Sequence, residues 1–170
     1  MLRLLLVCAS TVALAASAAM AQDAKTATAT FISKAGKEAG AAKLTGTEKG
    51  VLIELDLTGL PASQWVAFHV HETGSCEHAG GHMSAGGHFN PGKAAHGFND
   101  PKGPHAGDMP NQYVSADGTL KTQVFNSFVR LDKGETGILG RALMIHGKAD
   151  DYKSQPAGDA GDRQACAVIK

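Results

Sequence analysis

Between Glu72 and Asn111 the chain runs for 40 residues without a strand or helix pattern, and five histidines lie in that stretch: His78, His82, His88, His96 and His105. So long a structureless segment is rare in a compact domain unless it is functional or held by something. A metal and a disulfide are the candidates for holding it. Seven of the chain's eight histidines fall between His69 and His105, and the eighth is His146.

The flanking sequence reads as β-structure. Thr26–Ile32, Val51–Leu57, Trp65–His71, Leu120–Phe125 and Ile138–His146 are strand-like, with turn chemistry at Gly59–Pro61, Asp117–Gly118 and Lys133–Gly134. Val51, Ile53, Leu55 and Leu57 share one face of their strand. Ala35 to Lys43 offers the one weak helix, against which its glycines count. A second strand-poor stretch runs from Gly147 to Gln164. The expectation is one all-β domain carrying two long loops.

Met1 to Ala21 reads as a secretory signal peptide, with Arg3, an apolar run from Leu4 to Leu14 and an A-x-A site at Ala19-Met20-Ala21. The run is shorter than the roughly 20 residues of a membrane span. No stable membrane anchor is therefore expected, and residues 22–170 form the exported domain, periplasmic or secreted. Cys8 leaves with the leader. In an oxidising compartment the remaining pair, Cys76 and Cys166, is expected to form a disulfide, the alternative being two unrelated buried thiols. The chain balances 16 basic against 16 acidic residues. That excludes the dense cationic face needed for nucleic acid and a polybasic membrane attachment.

His69 and His71 stand at i, i+2 on an apolar strand, so both imidazoles project from one face and Val70 from the other. Such a pair is half of a copper or zinc site; exposed alternation is the bland alternative. His88, His96, His105 and Asp108 follow within 21 residues of one another. Three histidines with one carboxylate suit tetrahedral zinc, and a set of histidines alone suits Cu(II). The zinc hydrolase pattern H-x-H-x-D-H is excluded, because Thr73 stands where its Asp would be. A cupin fails similarly at Ser75 and Cys76.

Several segments, in order, resemble the exported copper-zinc superoxide dismutases of bacteria: Ala67–Cys76, Gly86–Pro91, Lys93–Gly97, His105–Asp108, Gly140–His146 and Gly158–Ile169. The resemblance implies a flattened eight-stranded Greek-key β-barrel with a metal loop and a channel loop. It implies one copper on His69, His71, His88 and His146, and one zinc on His88, His96, His105 and Asp108. His88 would bridge the metals and carry a proton during dismutation of superoxide to dioxygen and hydrogen peroxide. Asp150 would bond the free nitrogens of His69 and His96, and Arg163 would orient the anion. Lys153 is the candidate for steering superoxide, ahead of Lys148 and Lys93. Family members differ in how they associate, and a homodimer is the candidate assembly. His78 and His82 align with no family ligand. They are expected to be solvated loop residues, with an accessory metal site including Met83 as the sharper alternative. A non-catalytic copper or zinc delivery protein on the same fold would be marked by a missing ligand or arginine, and His146 and Arg163 are both present.

Overall fold

The computed structural model describes residues 25–170; the signal-peptide reading falls outside them. Among the described residues nine strands form: β1 (Thr26–Ser33), β2 (Glu38–Gly46), β3 (Val51–Leu57), β4 (Gln64–Val66), β5 (Phe68–His71), β6 (Gln112–Val114), β7 (Leu120–Asn126), β8 (Ala142–His146) and β9 (Arg163–Val168). Seven make one antiparallel sheet in the order β5-β8-β9-β1-β2-β3-β7, and β4 pairs with β6. The sheet curls around a main core that takes Phe31, Leu44, Ile53 and Leu57 from one end and Phe68, Val70, Leu143 and Ile145 from the other. Burying each such side chain contributes about 1.5–3 kcal/mol. Val51, Ile53, Leu55 and Leu57 all face inward, as their alternation predicts.

The expected strand Trp65–His71 is interrupted at Ala67, whose N–H bonds Lys148 O and whose carbonyl accepts from His146 N–H. The chain changes sheets there, β4 pairing with β6 and β5 with β8. This break turns the expected eight strands into nine.

The weak helix expected over 35–43 is instead part of a hairpin. β2 pairs with β1 on one side and β3 on the other. Its buried residues Ala39 and Ala42 are three apart, which imitates a helical stripe, because the register shifts beside Gly40. Gly40 has φ +114, and a Cβ there would collide with the Asp56 carbonyl, so only glycine fits this irregularity. The expected strand from Ile138 shortens to β8, since Arg141 N–H closes a turn onto Ile138 O. The Gly147–Gln164 stretch ends two residues early, where β9 begins at Arg163.

Candidate metal centre

β5 is buried along its whole length although half of it is histidine. Phe68 and Val70 enter the core. His69 and His71 face outward, toward the side where Met144, Ala142, Ala85, Cys166 and Cys76 make a second, small apolar cluster. The first long loop closes over this side by bonding the free edge of β5: Val70 N–H to Gly107 O, Phe89 N–H to Val70 O and Glu72 N–H to Gly87 O. The Cys76–Cys166 disulfide, with Cα atoms 5.5 Å apart, ties the same loop to β9.

This closure assembles two groups of donors. Donor atoms of His69, His71, His88 and His146 lie within 4.8 Å of one another, and so do those of His88, His96, His105 and Asp108. In the first, His71 Nε2 is 3.4 Å from His146 Nε2. In the second, Asp108 Oδ1 lies 3.0 Å from His88 Nδ1 and 3.5 Å from His105 Nδ1, and Asp108 Oδ2 lies 3.1 Å from His96 Nδ1. A tetrahedral ion with bonds of about 2.0–2.1 Å sets its donors about 3.3–3.4 Å apart. The His71–His146 pair and the three Asp108 pairs lie within about 0.4 Å of that spacing. His69 Nδ1 and His88 Nε2 are buried without hydrogen-bond partners, and a cation supplies what these nitrogens lack.

Outer partners hold the second ring nitrogens of His69, His96 and His71. Asp150 accepts from His69 Nε2 at 2.8 Å and from His96 Nε2 at 3.0 Å, so it links the two groups. Asp150 is itself held by the Tyr152 N–H at 2.6 Å and by paired bonds between its backbone and the Asn111 side chain. A Cβ at Gly158 would strike the Asp150 carboxylate and the His96 ring; glycine lets the second loop close on them. His71 donates Nδ1–H to Gly86 O at 3.0 Å. These bonds fix the tautomers that leave His69 Nδ1 and His71 Nε2 as lone-pair donors.

Burial holds the His69 and His71 imidazoles below their ordinary range and lowers His146 to about 2. It also lowers His88, to about 4, against the pull of its Asp108 bond. For His96 burial acts downward too, but hydrogen bonds to Asp108 and Asp150 outweigh it and raise the group to about 9. Burial disfavours the Asp108 carboxylate, yet bonds from His105, His88, His96 and the Gly97 N–H hold it well below the usual range. Neutral imidazoles and an ionised carboxylate are the forms that bind metal.

With both quartets in place, the match to known proteins is decisive: the family model for copper/zinc superoxide dismutase covers residues 38–169. The chain belongs to the copper/zinc superoxide dismutase family. Two relatives in Aquifex aeolicus (strain VF5), Cu-Zn superoxide dismutases 1 and 2, are 48% and 50% identical over 158 residues. Those alignments cover 91% of this chain and 92% and 91% of the relatives. A crystal structure of a superoxide dismutase-like protein from Bacillus subtilis is similar with a TM-score of 0.80 and 34% identity, covering 84% of this chain and 97% of that one.

In this member of the family a cleft of about 980 Å³ opens beside the first quartet, lined by His71, His88, His146, Arg163, Lys34 and Asp162 among others. Arg163 sits opposite His146 in the β8–β9 register. Its Nη1 donates to His82 O at 2.8 Å and its Nη2 to Gly86 O at 2.7 Å. Gly86 O thereby serves both Arg163 and His71. Lys34, from the turn after β1, pairs with Asp162 at 2.7 Å at the cleft wall. Sequence reasoning passed over Lys34 and Asn111, because nothing local distinguishes them from other loop residues. Lys153 donates its backbone N–H to Asp151, and its neighbour Ser154 lines the cleft.

His78 and His82 join neither quartet, and no other group of three or more potential ligands occurs among the described residues. His78 is exposed, but His82 is fully buried. The expectation of solvated loop histidines is thus wrong for His82, because the loop folds back through 3₁₀ turns at His78–Gly80 and Met83–Ala85 on either side of it.

Proposed function

We propose that this chain dismutates superoxide, 2 O₂⁻ + 2 H⁺ giving O₂ + H₂O₂, with copper held by His69, His71, His88 and His146 and zinc by His88, His96, His105 and Asp108. The observation that carries the reading is His88, whose Nδ1 faces Asp108 while its Nε2, buried and unpartnered, faces the other quartet. Copper, when bound, supplies the one-electron couple, and zinc adds fixed charge without redox chemistry.

The chain's own groups do the rest. Asp150 and Gly86 O orient the ligand imidazoles. Arg163 binds and turns the anion at the cleft wall, with two donors fixed on loop carbonyls and the rest of its fork free. His88 Nε2 is the atom placed to hold a proton beside the cleft and pass it to the product. The disulfide supports an oxidising compartment. With the leader-like residues 1–21, it favours an exported, periplasmic domain spanning 22–170.

Superoxide decay followed by stopped flow, with the copper- and zinc-loaded protein and with His146→Ala, tests this. The wild type should far exceed the same concentration of free copper, and the variant should lose that advantage. A wild-type rate no better than free copper contradicts the reading. It would leave the non-catalytic metal carrier on the same fold, which the complete ligand set and Arg163 disfavour.

A further inference from the structure

We infer that His82 is a positioning residue for Arg163: its buried ring anchors the disulfide loop so that the His82 carbonyl, together with that of Gly86, presents the guanidinium to the cleft. This rests on the dismutase reading above and adds a residue to it.

Three observations converge on His82. Its carbonyl accepts the 2.8 Å bond from Arg163 Nη1, across 81 positions of sequence. Its backbone is left-handed, at φ 61 and ψ 19, a conformation that disfavours a residue with a side chain. Its imidazole is fully buried, and neither ring nitrogen has a hydrogen-bond partner. Burial lowers the ring's pKa from its ordinary value, and backbone groups of Cys76 and Ser33 lie near it without forming a well-aligned hydrogen bond. A strained backbone and a buried ring without partners are both unfavourable locally, so the surrounding structure must hold them in place.

The packing supplies a reason. Cys76 is the loop end of the disulfide, and Ser33 closes β1 next to Cys166 and Ala165 of β9. The ring therefore wedges between two points that are each fastened to β9, the strand that begins at Arg163. His82 N–H bonds Glu77 O, and His82 O also accepts from Ala85 N–H. The turn is thus closed on both sides of the carbonyl that Arg163 uses. His82 belongs to no group of three or more potential ligands among the described residues, and His78, on the exposed side, packs its ring over Gly36. This favours an anchor over the accessory metal site.

The test uses His82→Gly, which accepts the left-handed backbone and deletes only the ring, and His82→Asn, which tolerates the same backbone and keeps a polar side chain. Both are compared with the wild type, Arg163→Ala and the His82→Gly/Arg163→Ala pair, all loaded with copper and zinc. Azide binding to the oxidised protein is titrated by its charge-transfer absorbance. In the reduced, diamagnetic protein, NMR reads solvent exchange of the Arg163 guanidinium protons. In His82→Gly the azide Kd should rise about tenfold, the size expected when one charge-assisted hydrogen bond is lost. Guanidinium exchange should quicken, copper content should stay unchanged, and His82→Asn should recover part of the loss. In the Arg163→Ala background the His82→Gly change should add almost nothing.

Azide affinity within twofold of wild type in His82→Gly, or full additivity with Arg163→Ala, overturns the inference while leaving the dismutase reading intact. If His82→Gly does not load metal, the same comparison on His82→Asn decides, and unchanged guanidinium exchange there overturns it. A third metal per wild-type chain that disappears in His82→Gly also overturns it, in favour of an accessory site. A wild type that neither binds azide nor dismutates superoxide removes both claims.

Discussion

Replacing both cysteines, Cys76→Ala with Cys166→Ala, should destabilise the metal-free protein more than any single surface change. The bridge joins residues 90 positions apart, and the chain-entropy model assigns a loop of that size about 4–5 kcal/mol at 25 °C. Alanine suits the surroundings, because Cys166 is fully buried beside Met144, Ala142 and Ala85. The loss should therefore come mainly from a freer unfolded chain. For a domain of this size it corresponds to a fall in Tm of about 10–20 °C. Urea unfolding of the metal-free variant and wild type, each fitted with its own m-value because the freer unfolded chain exposes more surface, measures it. The same bridge clamps the loop whose carbonyls grip Arg163, so the loaded variant should also bind azide more weakly. A stability loss below about 1 kcal/mol would refute the reasoning, since the loop would then be held by its bonds to β5 alone.

Acid should weaken the metal-free protein before any carboxylate titrates: His69, His71, His88 and His146 are depressed by burial, His88 to about 4 and His146 to about 2. The unfolded chain then binds more protons, so stability is full above pH 6.5 and falls as pH drops toward 4. His96, raised to about 9, contributes oppositely, with stability present below 6.5 and lost as pH rises through about 9; urea midpoints across pH 5–9 that stay flat would contradict both signs. Asp150→Ala should lower metal affinity about 10–100-fold, since outer partners of ligand histidines carry that much; chelator competition with no loss would contradict the role of its bonds to His69 and His96. Lys153→Glu and Lys34→Glu should lower the second-order rate with superoxide at low ionic strength and converge on the wild type in high salt, whereas equal loss at all salt concentrations would argue against steering.

Much of this was readable from residue order. Alternation alone places Val51, Ile53, Leu55 and Leu57 in the core, and the i, i+2 spacing of His69 and His71 puts them on the opposite face from Val70. The five remaining candidate ligands follow from family-like segments, and the structure brings them into the same two quartets. Strand β2 was hidden because the irregularity at Gly40 replaces a period of two with a helix-like spacing. The break at Ala67 was hidden because an apolar run carries no sign of which sheet each half joins. His82 was misread because its burial depends on a loop fold set by Ser33, Cys76 and Arg163, all distant in sequence. Lys34 was missed for the same reason, its cleft position depending on how the β1–β2 turn meets Asp162.

The central claim is that one imidazole, His88, is shared by two different metals. Anomalous diffraction from crystals of the loaded protein, recorded at the copper and zinc edges, tests it most directly. The account predicts a copper peak among His69, His71, His88 and His146, a zinc peak among His88, His96, His105 and Asp108, and the His88 ring between them. A single peak, or two metals with no shared histidine, would contradict it.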